Sequence, residues 1–372
     1  MFERRLFFHV DWLLLGAVLL LAGIGLTMIY STTYVHPPAG VLEGGHPGQR
    51  FWVQLYAIGL GLGVLVIFLT LDYRFLAEHS LVLYGGLIAL LVYVLIGGVR
   101  AGGSTRWISL GLFNLQPSEF ARIVLALILA MYFGENRRGA RNNSDLIVAA
   151  LFFLVPFMLI AKQPDLGTAV TLVPVGFGIA YLAGLRLRLI AVVALAALLL
   201  APIAWNFALK DYQKSRISTF LDPEKDPRGG GYQQIQARIS VGSGGWRGKG
   251  FKAGTQGQYK FLPVADNDFI FSVLAEEQGF IGVLVTLSLY LFVIFRSIEA
   301  ARLAKDRIGA YLVGGIISGF AFQVIYNITM SAGLAPVKGL TLPLMSYGGS
   351  SIIATMAAFG LILNVRMRRF TN

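Results

Sequence analysis

Apolar runs approaching the ~20 residues needed to cross a bilayer recur along the whole chain, separated by short polar and glycine-rich clusters. The pattern predicts about ten membrane helices, near residues 11–30, 52–70, 80–98, 119–133, 145–161, 167–184, 187–207, 272–295, 308–330 and 350–364. The first of these follows a short basic lead, MFERRLFF, as a signal peptide would. Its apolar run is too long for one and no small-residue cleavage site follows, so a retained span is expected. One connection, 208–267, is far longer than the rest. Loops of that length in compact proteins are usually functional or disordered. This one carries Phe220, Tyr232, Ile235, Ile239, Trp246 and Phe261, too many apolar residues for a flexible linker, and is expected to fold partly into short amphipathic helices at the membrane surface.

Composition agrees with the pattern. Of 372 residues, 56% are hydrophobic and only 13% charged, too apolar for the two or three soluble domains that length alone would suggest. The fold class is therefore an all-α polytopic membrane protein. Cysteine is absent, which excludes disulfides, thiolate metal sites and a cysteine nucleophile. His9, His36, His46 and His79 show no metal-ligand spacing, so neither a zinc nor a haem enzyme is expected. A net charge of +12 would suit nucleic acid, but no basic patch is interleaved with aromatics on a soluble fold, and basic loops in a membrane protein set topology. Threading ten spans alternately puts Arg4 and Arg5, Arg74, Arg137, Arg138 and Arg141, Arg186 and Arg188, Arg296 to Arg307, and Arg366 to Arg369 on one side. The other side carries mostly single cations in its short loops. By the positive-inside rule both termini are cytoplasmic, and the long loop lies outside.

Against this background the acids stand out. Residues 263–282, PVADNDFIFSVLAEEQGFIG, place Asp268 at the threshold of an apolar segment with Glu276 and Glu277 inside it. An Asp at the centre of a membrane helix costs roughly 2.5–3.5 kcal/mol on insertion scales. On a helix Asp268, Ser272, Ala275 and Gly279 would share a face, with Glu276 about 12 Å deeper on nearly the same side and Glu277 opposite. Structural ion pairing is the plainer reading of each glutamate, and helix capping that of Asp268. Three further polar clusters fall at span ends on the same side. They are GSTRW at 103–107 with QPSEF at 116–120 and Arg122, then KQPDLGT at 162–168, and KGLTLPLMSYGGSS at 338–351. Ser118 reads as a possible cap. Glu119 either pairs with Arg122 or faces a polar cavity, and Asp165 either caps the next helix or faces that cavity. GSGGWRGKG at 242–250 fails as a phosphate loop, because Gly248-Lys249 is followed by Gly and lacks the strand-to-helix context. A basic turn rich in backbone N–H could still meet a phosphate, with a plain surface turn as the alternative. Gly59, Gly61, Gly63, Gly315 and Gly319 are read as helix-packing positions.

These motifs, in this order, resemble the SEDS family of cell-wall glycosyltransferases, which includes RodA and FtsW. The resemblance covers nearly the whole chain: span number, the long outer loop, GSTRW with QPSEF, KQPDLGT, GYQQIQARISVGSGGWRGKG, and DFIFSVLAEEQGFIG followed by LTLPLMSYGGSS. LDPEKDP and TQGQ look more like RodA. Val264, Asn267 and Arg122 depart from the common pattern. The resemblance implies one SEDS-type membrane domain, 1–372, that polymerises lipid II into glycan strands in cell elongation. Asp268 would then be the catalytic general base for a sugar hydroxyl. Trp107, Glu119, Arg122 and Asp165 match functional positions, while Glu276 matches an intramembrane glutamate with a structural or cavity role. Arg106, Arg122, Arg216 and Lys249 are candidates to stabilise a departing pyrophosphate. A divalent cation, Mg²⁺ or Mn²⁺, is a further candidate there, with Asp165 or Glu119 as oxygen ligands. A class B penicillin-binding protein is the implied partner. A lipid II transporter, a division polymerase of the FtsW type and a noncatalytic scaffold remain as other readings.

Overall fold

The structure is a computed structural model that describes residues 9–35, 46–101, 104–109, 114–136, 143–207, 211–226 and 229–370. Arg4, Arg5, His36, Gly103, Arg137, Arg138 and Arg141, named above, lie outside the described residues.

Among the described residues, ten long helices fall on the ten predicted spans. They are α1 (Trp12–Thr33), α2 (Gln49–Thr70), α4 (Ser80–Gly97), α5 (Pro117–Glu135), α6 (Asn143–Lys162), α7 (Leu166–Leu182), α8 (Leu187–Phe207), α12 (Ile270–Arg302), α13 (Arg307–Ser331) and α14 (Gly349–Met367). Among the described residues, eight of them are long and apolar enough to cross a membrane, and α7 is a shorter apolar helix. This is a multi-pass membrane protein. A short α3 (Tyr73–Glu78) joins α2 to α4. The long connection holds α9 (Asp211–Leu221), a 3₁₀ turn at Pro223–Lys225, α10 (Gly230–Ser243) and α11 (Thr255–Gln258), as its apolar residues predict. A small second core of Ala237, Leu262, Ala265, Phe269, Val273, Met330 and Ala335 fastens α10 to the start of α12 and the end of α13.

Helix α14 is the axis of the bundle, buried from Ser350 to Met367. It packs closely on α2, while α13 lies against α5, α7 and α12. Three of the five glycines read as packing positions do this work. A side chain at Gly61 would meet Met356, and one at Gly315 or Gly319 would run into Ile179 or Val175, so these backbones approach as no larger residue allows. Gly59 and Gly63 have nothing within 4 Å.

Two features were not expected. The connection between α4 and α5 holds a three-stranded antiparallel sheet, β1 (Val99–Ala101), β2 (Ser104–Ser109) and β3 (Asn114–Leu115), with Val99 opposite Trp107. Its strands are too short for alternation to register. Second, α12 is broken at Gly279, whose φ of 64° and ψ of −162° leave the helical region. The GSGGWRGKG segment fills the break. Lys249 and Gly250 donate their backbone N–H to the carbonyls of Glu276 and Glu277, at 2.9 and 3.0 Å, and Phe280 and Ile281 donate theirs to the carbonyls of Gly245 and Trp246. Four backbone groups orphaned by the break are thereby satisfied, as a membrane requires.

The bundle end remote from Asp268 is tied by charge. Asp11, the N-cap of α1, pairs with Arg296 of α12 and Arg366 of α14, each at 2.8 Å. Asp306 and Asp72 pair with Arg74 and Arg368.

Candidate active site

Asp268 lies two residues before α12, not on it, so the helical face proposed for Asp268, Ser272, Ala275 and Gly279 does not form. The reason is local. Val264, at φ 55°, accepts hydrogen bonds from the N–H of Asn267 and Asp268, and this turn delays the helix until Ile270, with Phe269 in the cap position. Asp268 is therefore no cap. The turn is held from two sides. The buried Asn327 of α13 donates its amide to the Asp268 carbonyl (2.9 Å) and to that of Leu340 (2.6 Å). Tyr347 N–H donates to the carbonyl of Asp266, whose carboxylate takes both its contacts from Arg50 (2.7 and 2.9 Å).

The Asp268 carboxyl is enclosed. Its Oδ1 is shut off from solvent without a hydrogen-bond partner, and Oδ2 faces the backbone of Gly339, where even a methyl group would come within 3.6 Å. Burial raises its pKa to about 6, against the lowering pull of Arg106 and Arg216, with a smaller upward push from Asp266 and Asp165. A carboxylate with a pKa of about 6 and no donor on one oxygen can take up a proton. The half-buried Lys338 is the nearest cation in sequence to Gly339. Burial, and Arg216 after it, lower its pKa, and its ammonium lies 5.6 Å from the centre of the Tyr326 ring.

Asp165 takes the capping role read for it, and its second oxygen is held by polar side chains. It caps α7 through Thr168 N–H (3.2 Å), and its Oδ2 accepts from Gln116 (2.9 Å) and Thr168 Oγ1 (3.0 Å) while lying 3.3 Å from Arg106. The start of α7 abuts Lys338 and Leu340, so the Asp165 turn, the Arg106 strand and the Asp268 turn meet at one end of the bundle. Trp107 is half-buried on β2, next to Arg106 and facing the other side of the strand. Glu119 and Arg122 form a 2.7 Å ion pair inside α5, and Arg122 also donates to Gln323 of α13. Ser118 does not cap α5. Gln116 holds the cap position, and Ser118 Oγ accepts from the Gln116 amide.

Lys249 and Glu276 lie apart from this group. They pair at 2.7 Å, and Glu276 also accepts from the N–H of Thr255 and Gln256. Glu276 thus ties the segment that splints α12 to its own first half, and the Lys249 charge is already matched. Glu277 has a partner of its own, accepting from Ser31 Oγ of α1 at 2.5 Å. Arg216, on α9, is exposed and makes no ion pair among the described residues. Asp165 and Glu119 do not fit a resident divalent cation. Each is turned to an arginine, and no group of three His, Asp or Glu gathers among the described residues.

Sequence reasoning missed Asn327 and Gln323, whose signal was available: two amides four residues apart in an apolar span. It also missed Arg50 as the partner of Asp266. Nothing local links residues so far apart.

A bundle of ten long helices, with a carboxyl of raised pKa and several arginines gathered at one end, defines a polytopic membrane protein with a polar, anion-compatible site. The chain matches the cell cycle protein family of FtsW, RodA and SpoVE over residues 11–370, and it belongs to that family. It is 40% identical over 312 residues to the peptidoglycan glycosyltransferase MrdB of Escherichia coli K12, covering 84% of each chain. It is 39% identical over 367 residues to the probable peptidoglycan glycosyltransferase FtsW of Alkalilimnicola ehrlichii, covering 96% of this chain and 89% of the relative. Among solved structures, a chain of a peptidoglycan synthase complex that coordinates polymerization and crosslinking superposes with a TM-score of 0.81 at 33% identity, covering 98% of this chain and 99% of that one. The rod shape determining protein RodA of Thermus thermophilus gives 0.71 at 30% identity, covering 98% of both.

Proposed function

We propose that this protein is a peptidoglycan glycosyltransferase that polymerises lipid II by inverting glycosyl transfer. The observation that carries the reading is the enclosed Asp268 carboxyl, poised near neutrality at the polar end of the bundle. In the reaction Asp268 takes the proton of the acceptor GlcNAc 4-OH as that oxygen bonds to the donor's anomeric carbon. The bond from that carbon to the pyrophosphate oxygen breaks, and its electron pair leaves with undecaprenyl pyrophosphate. Arg216 is the cation best placed to meet the departing charge, since Arg106, Arg122 and Lys249 already face Asp165, Glu119 and Glu276. Any Mg²⁺ or Mn²⁺ would enter with the pyrophosphate.

The Asp268 end faces outward in this reading, with both termini cytoplasmic in the bacterial inner membrane, because the basic loops crowd the opposite end. Residues 1–372 act as one membrane domain with the 208–267 loop as its outer cap. The wording LDPEKDP supports a role in elongation, with division as the alternative. Likeness to a chain of a synthase complex supports a class B penicillin-binding protein as partner. The test is glycan synthesis from lipid II by the purified chain, with and without that partner. Wild type is expected to make strands and Asp268→Ala to make none. No glycan from wild type, with lipid II still moved across a vesicle membrane, would establish the transporter reading instead.

A further inference from the structure

A cavity of about 310 Å³ with a mixed polar and apolar lining lies in the cap, between α9, α10 and the segment that follows α13. Its walls include Ser215, Arg216, Thr219, Asp226, Gln233 and Val337. Two links place it beside the reacting carboxyl. Arg216, in its wall, is one of the two cations whose charge acts on Asp268. Val337, also in the lining, leads within two residues to Gly339, whose backbone faces Asp268 Oδ2. The cavity is thus a neighbour of Asp268, reached through Arg216 on one element and Val337 to Gly339 on another.

The lining says what would fit. Hydroxyls from Ser215 and Thr219 and the carboxamide of Gln233 are neutral donors and acceptors, and Val337 adds an apolar surface. Gln233 is half-buried and Thr219 buried in that lining. The Asp226 carboxylate also lines the cavity, so a diphosphate or a peptide carboxylate seated inside it would meet a like charge, and Arg216 would serve the departing pyrophosphate from the Asp268 side. An isoprenoid chain would leave the hydroxyls, the carboxamide and the charges in the lining unmatched. A pyranose, with hydroxyls around its rim and an apolar C–H face, matches on each count. The volume is at the lower end of ligand pockets, about 300–1,000 Å³, and holds a single ring.

We propose that this cavity is a subsite for one sugar ring of the glycan strand, next to the ring that reacts at Asp268. The inference rests on the polymerase reading and deepens it. A subsite of this kind retains the strand between additions, so it governs strand length more than the rate of a single addition. The variants are Thr219→Val and Gln233→Leu, which keep side-chain volume and remove polar groups. Two measurements test them. Strand length is read on gels after polymerisation of fluorescent lipid II by the full-length purified protein. Chitotriose binding is followed by saturation-transfer NMR on the same preparations. Each lost hydrogen bond is expected to shorten strands by roughly 2–10-fold, beyond any fall in lipid II consumption, and to weaken chitotriose binding by a similar factor. Strand lengths that stay constant, or fall only in proportion to rate, overturn the subsite, as does chitotriose binding that is absent from wild type or equal in the variants. A wild type that binds chitotriose but makes no glycan sinks the polymerase reading and leaves the sugar site standing.

Discussion

Asp268 carries a liability that only function explains. An acid whose pKa is raised from 3.8 to about 6 on folding holds its proton more tightly in the native than in the unfolded chain. Stability therefore falls as pH rises between about 4 and 6, and the loss persists above that window. Two outcomes follow at the residue scale. Polymerisation by wild type should fall tenfold per pH unit below about 6, with one proton taken up, measured as initial rate against pH. Asp268→Asn should abolish that activity yet melt at a higher temperature than wild type at pH 7.5, with up to about 3 kcal/mol of burial penalty relieved. A variant that is inactive because it is unfolded would contradict the assignment. Asn327 acts one step back, by holding the Asp268 and Leu340 carbonyls together. Asn327→Leu should lower kcat and shift the acid limb of the pH profile, whereas a purely structural role would change only the melting temperature.

Among the elements, α12 shows most clearly how a local rule and a tertiary requirement meet. A free break at Gly279 would leave backbone N–H and C=O groups unsatisfied within a membrane helix, and the 244–250 segment supplies their partners. That segment needs its glycines for different reasons. Gly248, at φ 77°, sits where any side chain would strike the Glu277 carbonyl, whereas Gly245, at φ 56°, has open space beside it. Gly245→Ala should therefore cost only the left-handed strain of roughly 1–2 kcal/mol, and Gly248→Ala should cost clearly more. Thermal unfolding of the two variants in detergent tests the difference, and equal losses would mean the splint does not hold the break. The same geometry explains why GSGGWRGKG resembles a phosphate loop. Its Lys249 and Gly250 N–H groups do point at oxygens, but at the neutral carbonyls of α12, while the Glu276 carboxylate takes the N–H groups of Thr255 and Gln256 just beyond it.

At the scale of the whole molecule, the two ends of the bundle divide the labour. One end gathers Asp268, Asp165, Arg106 and Asp266 in arrangements that leave a carboxyl oxygen unpartnered. The other end pairs its charges off. Asp11, buried between Arg296 and Arg366, joins the first, eighth and last spans. Asp11→Asn strips the acid from two arginines in low-dielectric surroundings and should destabilise the protein by about 3–5 kcal/mol, seen as a lower melting temperature with kcat per folded molecule unchanged. How much of this was legible beforehand follows from range. The spans were legible because each is a continuous apolar run, and membrane crossing depends on length and composition alone. Asp268, Glu119 and Asp165 were legible because acids are conspicuous in such runs. The sheet at 99–115 was not, its strands being too short for a pattern. The partners were not either: Arg106 with Asp165, Arg50 with Asp266 and Asn327 with Asp268 are separated by tens to hundreds of residues.

The sequence by itself determined the number and order of the membrane helices, the one long cap and the acids worth attention, since hydrophobicity and charge act locally along the chain. Only the tertiary structure decided that Asp268 stands before its helix rather than on it, that Glu276 and Lys249 brace a broken helix, and which arginines are already matched by an acid. A side chain's pKa, and the partner that claims its charge, depend on groups brought near by packing, and no spacing along the chain encodes that proximity.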